Sequence, residues 1–135
     1  MALRQPRDEN PGLSLRYTLW GHDGAIGRIA WEPAGKLVAS ASQDKTVRVW
    51  NAEVGGPRRV LQGHTQWVFG VAWSPDASLL ASCSDDLTLR IWDAITGEEK
   101  QVLRGHTRTI LSVAWAPDGS TIATGSSDRT IRLWD

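Results

Sequence analysis

Between residues 59 and 104 the chain alternates short apolar-rich bursts with turn-forming residues. Val68–Trp73 and Leu79–Ser84 are runs of strand length, and residues 74–77 (Ser-Pro-Asp-Ala) between them form a turn with its proline pre-set for it. After an Asp85-Asp86 turn, residues 87–92 alternate cleanly. Leu87, Leu89 and Ile91 point one way, and Thr88, Arg90 and Trp92 point the other, as a strand requires. A loop over 94–98, containing Gly97, leads to a fourth strand at 100–103. No stretch sustains a 3.6-residue period, so no substantial helix is expected.

The same pattern is written three times. Gly-His stands at 21–22, 63–64 and 105–106, each copy 42 residues after the last. Trp31, Trp73 and Trp115 repeat with that period, as do Asp44, Asp86 and Asp128, and Trp50, Trp92 and Trp134. Residues 59–93 and 101–135 are identical at about half their positions.

A 42-residue unit with Gly-His near its start and Trp-Asp at its end resembles the WD40 family, in which each repeat supplies a four-stranded propeller blade. The likeness covers residues 17–135. It implies an all-β fold of β-propeller blades, with strands a, b, c and d in chain order (68–73, 79–84, 87–92 and 100–103 in the middle unit), and a chain of hydrogen bonds in each blade running from strand-c Trp through Ser/Thr and His to Asp. Carried over, the three sets are His22, Ser40, Asp44 and Trp50; His64, Ser82, Asp86 and Trp92; and His106, Thr124, Asp128 and Trp134. The chemistry is sound: a buried indole N–H needs an acceptor, and each orphaned polar group would cost about 1–3 kcal/mol. Asn51 in place of Asp93 and Asp135, and Glu-Pro-Ala-Gly at 32–35, are minor departures.

Ser, His and Asp together raise the question of a hydrolase. The trio recurs at three equivalent positions, whereas an active site is expected once, and no Gly-x-Ser-x-Gly elbow is present. The structural reading is preferred, and no catalytic residue is assigned. The repeated Trp31, Trp73 and Trp115 are read as packing between blades.

Composition narrows the picture further. Lys+Arg and Asp+Glu both number 15 in 135 residues, so the formal charge is zero and nucleic acid is not an expected ligand. Cys83 is the only cysteine, which excludes an intrachain disulfide and a cysteine metal site. It is read as a small buried hydrophobe in strand b. Three histidines spaced one per blade do not make a metal site, and no cofactor is expected. No apolar run approaches the ~20 residues of a membrane span. Residues 1–14 are read as a flexible tail without the apolar core of a signal peptide, and a cytoplasmic location is expected.

Residues 17–20 align with 59–62 and 101–104, so they read as a strand d. The strand order is therefore d-abcd-abcd-abc over 15–135, with d-abc frames at 15–50, 57–92 and 99–134. Three blades cannot close a ring. An open arc would expose two apolar blade faces and a bare strand edge. Head-to-tail homo-oligomerisation would complete it, with the first strand d of one chain added to the last blade of the next. Nine blades from a trimer turn by about 40° each and six from a dimer by about 60°; single-chain relatives mostly use about 45–51°, so the trimer is favoured. The competing expectations are a fragment of a longer WD40 protein, or an engineered or amplified self-assembling propeller with no evolved ligand.

WD40 propellers commonly take peptides on the face carrying the d–a and b–c loops. The corresponding positions are Ala25, Gly27 and Gln43 in the first unit, Trp67, Phe69 and Asp85 in the second, and Thr109, Leu111 and Ser127 in the third. Two aromatics and a carboxylate make the second set the leading candidate; folding of the rings over neighbouring loops is the alternative. Trp20, just before the first Gly-His, is a candidate for the junction between chains. The function expected is a non-catalytic protein–protein interaction scaffold, with itself and an unnamed protein or peptide as partners.

Overall fold

The computed structural model describes residues 2–4 and 12–135. Apart from a short N-terminal pair of strands, the chain forms three antiparallel sheets, one per repeat. Blade one contains β3 (Ile26–Trp31), β4 (Leu37–Ser42), β5 (Val47–Asn51) and β6 (Gly56–Leu61), hydrogen-bonded in that order. Blade two contains β7 (Val68–Trp73), β8 (Leu79–Ser84), β9 (Thr88–Asp93) and β10 (Glu99–Arg104). Blade three has β11 (Ile110–Trp115), β12 (Ile122–Ser126) and β13 (Ile131–Trp134). This is the architecture of WD40 blades, and the three sheets do not close into a ring.

Strand c of blade two starts one residue later than the alternation suggests. Leu87 sits in the b–c turn with φ of 70°, as do its counterparts Lys45 and Arg129 at 74° each. The turn needs a left-handed residue there, so Leu87 leaves the ladder although its apolar character fits the alternation.

β1 (Ala2–Arg4) was not expected from the sequence. It pairs antiparallel with β2 (Tyr17–Leu19), within what reads as a flexible tail; residues 1 and 5–11 of that tail lie outside the described residues. β2 stands toward blade one as β6 stands toward blade two. Arg16 Nη2 and Tyr17 Oη donate to the carbonyl of Glu53, at 3.3 and 3.2 Å, while Arg59 Nε donates to the carbonyl of Ile95 at 2.8 Å. Tyr17 and Arg59 are equivalent positions, as are Glu53 and Ile95.

The core lies between blades. Val47, Val49, Ala39 and Ala41 of blade one meet Val68, Val71 and Trp73 of blade two. Ala81, Cys83, Leu89 and Ile91 of blade two meet Ile110, Ile122, Val113 and Trp115 of blade three. Each boundary is also pinned by a hydrogen bond from a strand-a tryptophan. Trp73 Nε1 donates to the Ala30 carbonyl at 3.0 Å, and Trp115 Nε1 to the Ala72 carbonyl at 3.2 Å.

Candidate functional site

The polar chain within each blade is built from four elements. The strand-c indole, buried in blades one and two and half-buried in blade three, packs against strand b, whose hydroxyl accepts its N–H; the His comes from the d–a loop and the Asp from the b–c turn. In blade one, Trp50 Nε1 lies 2.8 Å from Ser40 Oγ, Ser40 Oγ 2.6 Å from His22 Nε2, and His22 Nδ1 2.6 Å from Asp44 Oδ2. The corresponding distances are 2.8, 2.7 and 2.8 Å for Trp92, Ser82, His64 and Asp86. For Trp134, Thr124, His106 and Asp128 they are 2.9, 2.8 and 2.7 Å. An imidazole carrying its proton on Nδ1 satisfies every member: indole N–H donates to hydroxyl, hydroxyl donates to Nε2, and Nδ1–H donates to carboxylate.

Two residues per blade that sequence reasoning passed over complete the arrangement. Thr46, Thr88 and Thr130 each give both a hydroxyl and a backbone N–H to Oδ1 of the turn Asp. Ser42, Ser84 and Ser126 each accept the N–H of that Asp and donate to a d–a loop carbonyl. The signal was present, since Ser-x-Asp-x-Thr is spelled out three times at 42–46, 84–88 and 126–130. A motif internal to a turn does not announce itself as a ligand cage until the turn is folded.

These donors set the acidity of the carboxylates. Burial of Asp44 opposes ionisation, but hydrogen bonds from Thr46, His22 and Asp23 outweigh it and hold the carboxyl at about 2. Burial likewise opposes ionisation of Asp86, and His64 and Thr88 overcome it, well below the ordinary range. Asp128 is lowered chiefly by the Thr130 hydroxyl.

The Ser-His-Asp trio does not have the layout of a nucleophilic site. Ser40, Ser82 and Thr124 are buried, and each hydroxyl is engaged by an indole N–H and an imidazole. A nucleophile must reach a carbonyl carbon, and these oxygens face a tryptophan. Cys83 is equally withdrawn: burial pushes its thiol up to about 12. It lies opposite Gly70, where an added Cβ would come within 2.7 Å of Sγ, so the sulfur fills room that the glycine leaves. Among the described residues no cluster of three His, Cys, Asp or Glu side chains could hold a metal ion.

The loop-face positions come together in threes. The N–H of Gln43, Asp85 and Ser127 donates to the carbonyl of Ala25, Trp67 and Thr109 respectively, at 2.9, 2.9 and 3.0 Å. Gly27, Phe69 and Leu111 each fall where the a–b pairing skips a residue, so all three are bulged. A bulge re-aims a side chain off the sheet face. In blade two Trp67 is 46% exposed and its ring lies 6.2 Å from that of the half-buried Phe69, tilted by 49°. Asp85 is exposed, and its Oδ1 accepts the hydroxyl of Thr109 from the neighbouring blade. The loops of blades two and three are thereby tied together, and among the described residues the second carboxylate oxygen of Asp85 takes no hydrogen bond. Trp20 is largely exposed beside the first Gly-His.

The model of the WD domain, G-beta repeat, matches the chain at residues 13–51, 55–93 and 97–135. The chain belongs to the WD40 family. This WD40 chain is 56% identical over 39 residues to "Probable cytosolic iron-sulfur protein assembly protein Ciao1" of Anopheles gambiae, covering 29% of the chain and 11% of that protein. It is 38% identical over 61 residues to "Nuclear distribution protein PAC1-1" of Uncinocarpus reesii (45% and 14%). It is 42% identical over 52 residues to "Protein transport protein sec13" of Aspergillus oryzae (36% and 18%). The matched stretches thus span less than a fifth of these relatives, whose names point to three different processes. The repeat is what they share with this chain, and a shared fold does not carry a shared ligand.

Proposed function

We propose that this WD40 chain is a non-catalytic interaction scaffold whose loop face, centred on blade two, holds a protein or peptide partner. The observation that carries the reading is the pairing of an exposed Trp67 with Phe69 beside Asp85. An aromatic anchor next to a carboxylate with a spare oxygen suits a partner segment that offers an apolar side chain and an Arg or Lys. The three buried polar chains support the non-catalytic half of the proposal, because their functional groups are consumed in holding the turns. A cytoplasmic setting is part of the same reading, and the Ciao1 relative is named as a probable cytosolic protein.

The test is a pull-down with the wild-type chain and with Trp67→Ala and Asp85→Ala variants. Partners retained by the wild type and lost by both variants are expected. Partners held equally well by Trp67→Ala would sink the loop-face assignment. A hydrolytic activity abolished by His64→Ala but untouched by His22→Ala and His106→Ala would overturn the non-catalytic reading.

The propeller is completed, in this proposal, by head-to-tail association, with nine blades from a trimer favoured over six from a dimer. The reading rests on β2, which is placed toward blade one as β6 is toward blade two and is in none of the three blade sheets. Addition of β2 to β13 of a second copy must accommodate the pairing that β2 makes with β1. The chain as a section of a longer WD40 protein is the second reading, favoured by the small share of each relative that it matches.

A further inference from the structure

We infer that the wall formed by the three strands a, one residue along from Phe69, holds a carboxylate of the partner segment, with the Arg28 guanidinium as its counter-charge and the Ser112 hydroxyl as a second donor. The inference rests on the loop-face reading above and deepens it by naming the chemistry of a further contact. Beside the apolar side chain seated at Trp67 and Phe69, the same segment carries a Glu or an Asp.

The wall is continuous across the blades, because β3 packs against β7 and β7 against β11. Arg28, Gly70 and Ser112 hold the same place in the repeat, 42 residues apart, and each directly follows a loop-face residue, Gly27, Phe69 or Leu111. Each is the first residue to pair again after the bulge, opposite Ala41, Cys83 and Gly125 respectively. A depression of about 250 Å³ opens here, lined by Arg28, Gly70, Val71, Ser112 and Val113. All five come from consecutive strands a of this chain, so the lining does not depend on what lies beyond blades one and three.

Each lining residue has a physical part. Gly70 puts no side chain into the depression, and packing holds it to glycine: an added Cβ would come within 2.7 Å of Cys83 Sγ and 3.4 Å of Val113 Cγ1. Val71 and Val113 give an apolar flank, which strengthens a charge pairing made beside it. Arg28 and Ser112 are exposed. Arg28 shares the sheet face of Ala41, which packs toward blade two, and its charge is felt at Cys83 of that blade. Arg90 is held by Glu99 and Asp86, and Arg59 by the Ile95 carbonyl. Arg28 has no such restraint. Among the described residues no carboxylate lies within ion-pair distance of it, and neither its guanidinium nor the Ser112 hydroxyl makes a hydrogen bond.

The ligand chemistry follows from this lining. A guanidinium is always ionised, and its planar fork matches the two oxygens of a carboxylate. One arginine and one neutral hydroxyl balance a single negative charge. A phosphate monoester would bring nearly two, and among the described residues no second cation lines the depression. The partner segment is therefore of mixed charge, with an Arg or Lys toward Asp85, an apolar side chain at Trp67 and Phe69, and an acid toward Arg28. Two opposite charges on the protein fix the direction in which such a segment lies.

The test titrates the isotope-labelled chain with N-acetyl-Leu-Glu-amide and with its neutral twin N-acetyl-Leu-Gln-amide, followed by nuclear magnetic resonance. The Glu peptide is expected to shift the Gly70 backbone N–H and the Arg28 Nε–H, and to bind about tenfold more tightly than the Gln peptide. Arg28→Gln should abolish that preference, and Ser112→Ala should reduce it about two- to threefold. Both side chains are exposed, so each variant should keep the wild-type spectrum elsewhere. Absence of either shift, equal affinity of the two peptides for the wild type, or a preference that survives Arg28→Gln would overturn the inference. So would inorganic phosphate occupying Arg28 more tightly than the Glu peptide, and an unchanged preference in Ser112→Ala would remove Ser112 from the site. Trp67→Ala separates this inference from the reading beneath it. Two peptides bound alike by the wild type and both weakened by Trp67→Ala would leave the loop face standing while the Arg28 contact fell. A Glu preference at full affinity in Trp67→Ala would do the reverse.

Discussion

The indole N–H of Trp73 donates to the carbonyl of Ala30 across the boundary between blades one and two. A tryptophan at the end of strand a thus does two jobs, packing its ring into the interblade core and satisfying a carbonyl of the blade before it. Trp73→Phe should lower stability by about 1–3 kcal/mol, through the lost hydrogen bond and the smaller ring. Trp31→Phe, whose ring is exposed in the single chain, should change it by less than about 0.5 kcal/mol under conditions that keep the chain monomeric. Urea unfolding of both variants measures the difference, and equal costs would contradict the assignment of Trp73 to the boundary.

Ser82 accepts from Trp92 and pairs with His64, and it is fully buried. Ser82→Ala leaves an indole N–H and an imidazole nitrogen without partners in the same pocket. A loss of about 2–4 kcal/mol is expected, from two orphaned groups at about 1–3 kcal/mol each with partial relaxation. Thermal unfolding with calorimetry reads it directly; a loss below about 1 kcal/mol would mean that the blade does not depend on this relay.

The low carboxyl of Asp44, at about 2, makes stability depend on acid in a definite direction. In the unfolded chain an aspartate takes its proton near pH 3.9. The unfolded state therefore binds more protons than the folded state between that value and about 2, and stability falls as pH falls through this window. Above about pH 5 the contribution is fully present. Asp86 and Asp128 are lowered in the same sense. The urea midpoint is expected to drop between about pH 5 and pH 3, and less steeply in Asp44→Asn than in the wild type. A variant with an unchanged slope would remove Asp44 from the account.

Ala77 occupies a left-handed turn position with φ of 63°, where blades one and three carry Gly35 and Gly119 at 73° and 77°. An alanine pays a steric penalty there that glycine does not. Ala77→Gly should therefore raise stability by about 0.5–1 kcal/mol, after the extra chain entropy of glycine is subtracted. A fall in the urea midpoint would show that the Ala77 methyl packs usefully enough to outweigh the strain.

Much of the blade was readable because its determinants are local. Val68–Trp73 and Leu79–Ser84 have the bounds that the apolar runs suggest. Apolar alternation, Pro in the a–b turn and Asp in the b–c turn act over a few residues, and threefold repetition removed ambiguity about register. The loop-face triplets could be placed as a neighbourhood for the same reason. Their bulges could not be seen, since a one-residue skip in pairing leaves the composition of Ile26–Trp31 or Val68–Trp73 unaltered. Leu87 shows the opposite failure, where a residue with strand character is claimed by a turn that needs positive φ.

The sequence by itself determined the repeat, the blade and the polar relay, because each depends on residue types at fixed separations of at most 42 positions. Tertiary structure alone decided which of the repeated side chains are buried. Trp31 and Trp73 hold the same place in the repeat, each just after an alanine, yet one is largely exposed and the other is sealed. The physical reason is that burial here is supplied by the neighbouring blade and not by the repeat itself. The same holds for Asp85, whose hydrogen bond to Thr109 joins two blades that local pattern treats as separate. What a repeat can bury, and what it leaves open for a partner, follows from its place in the arc.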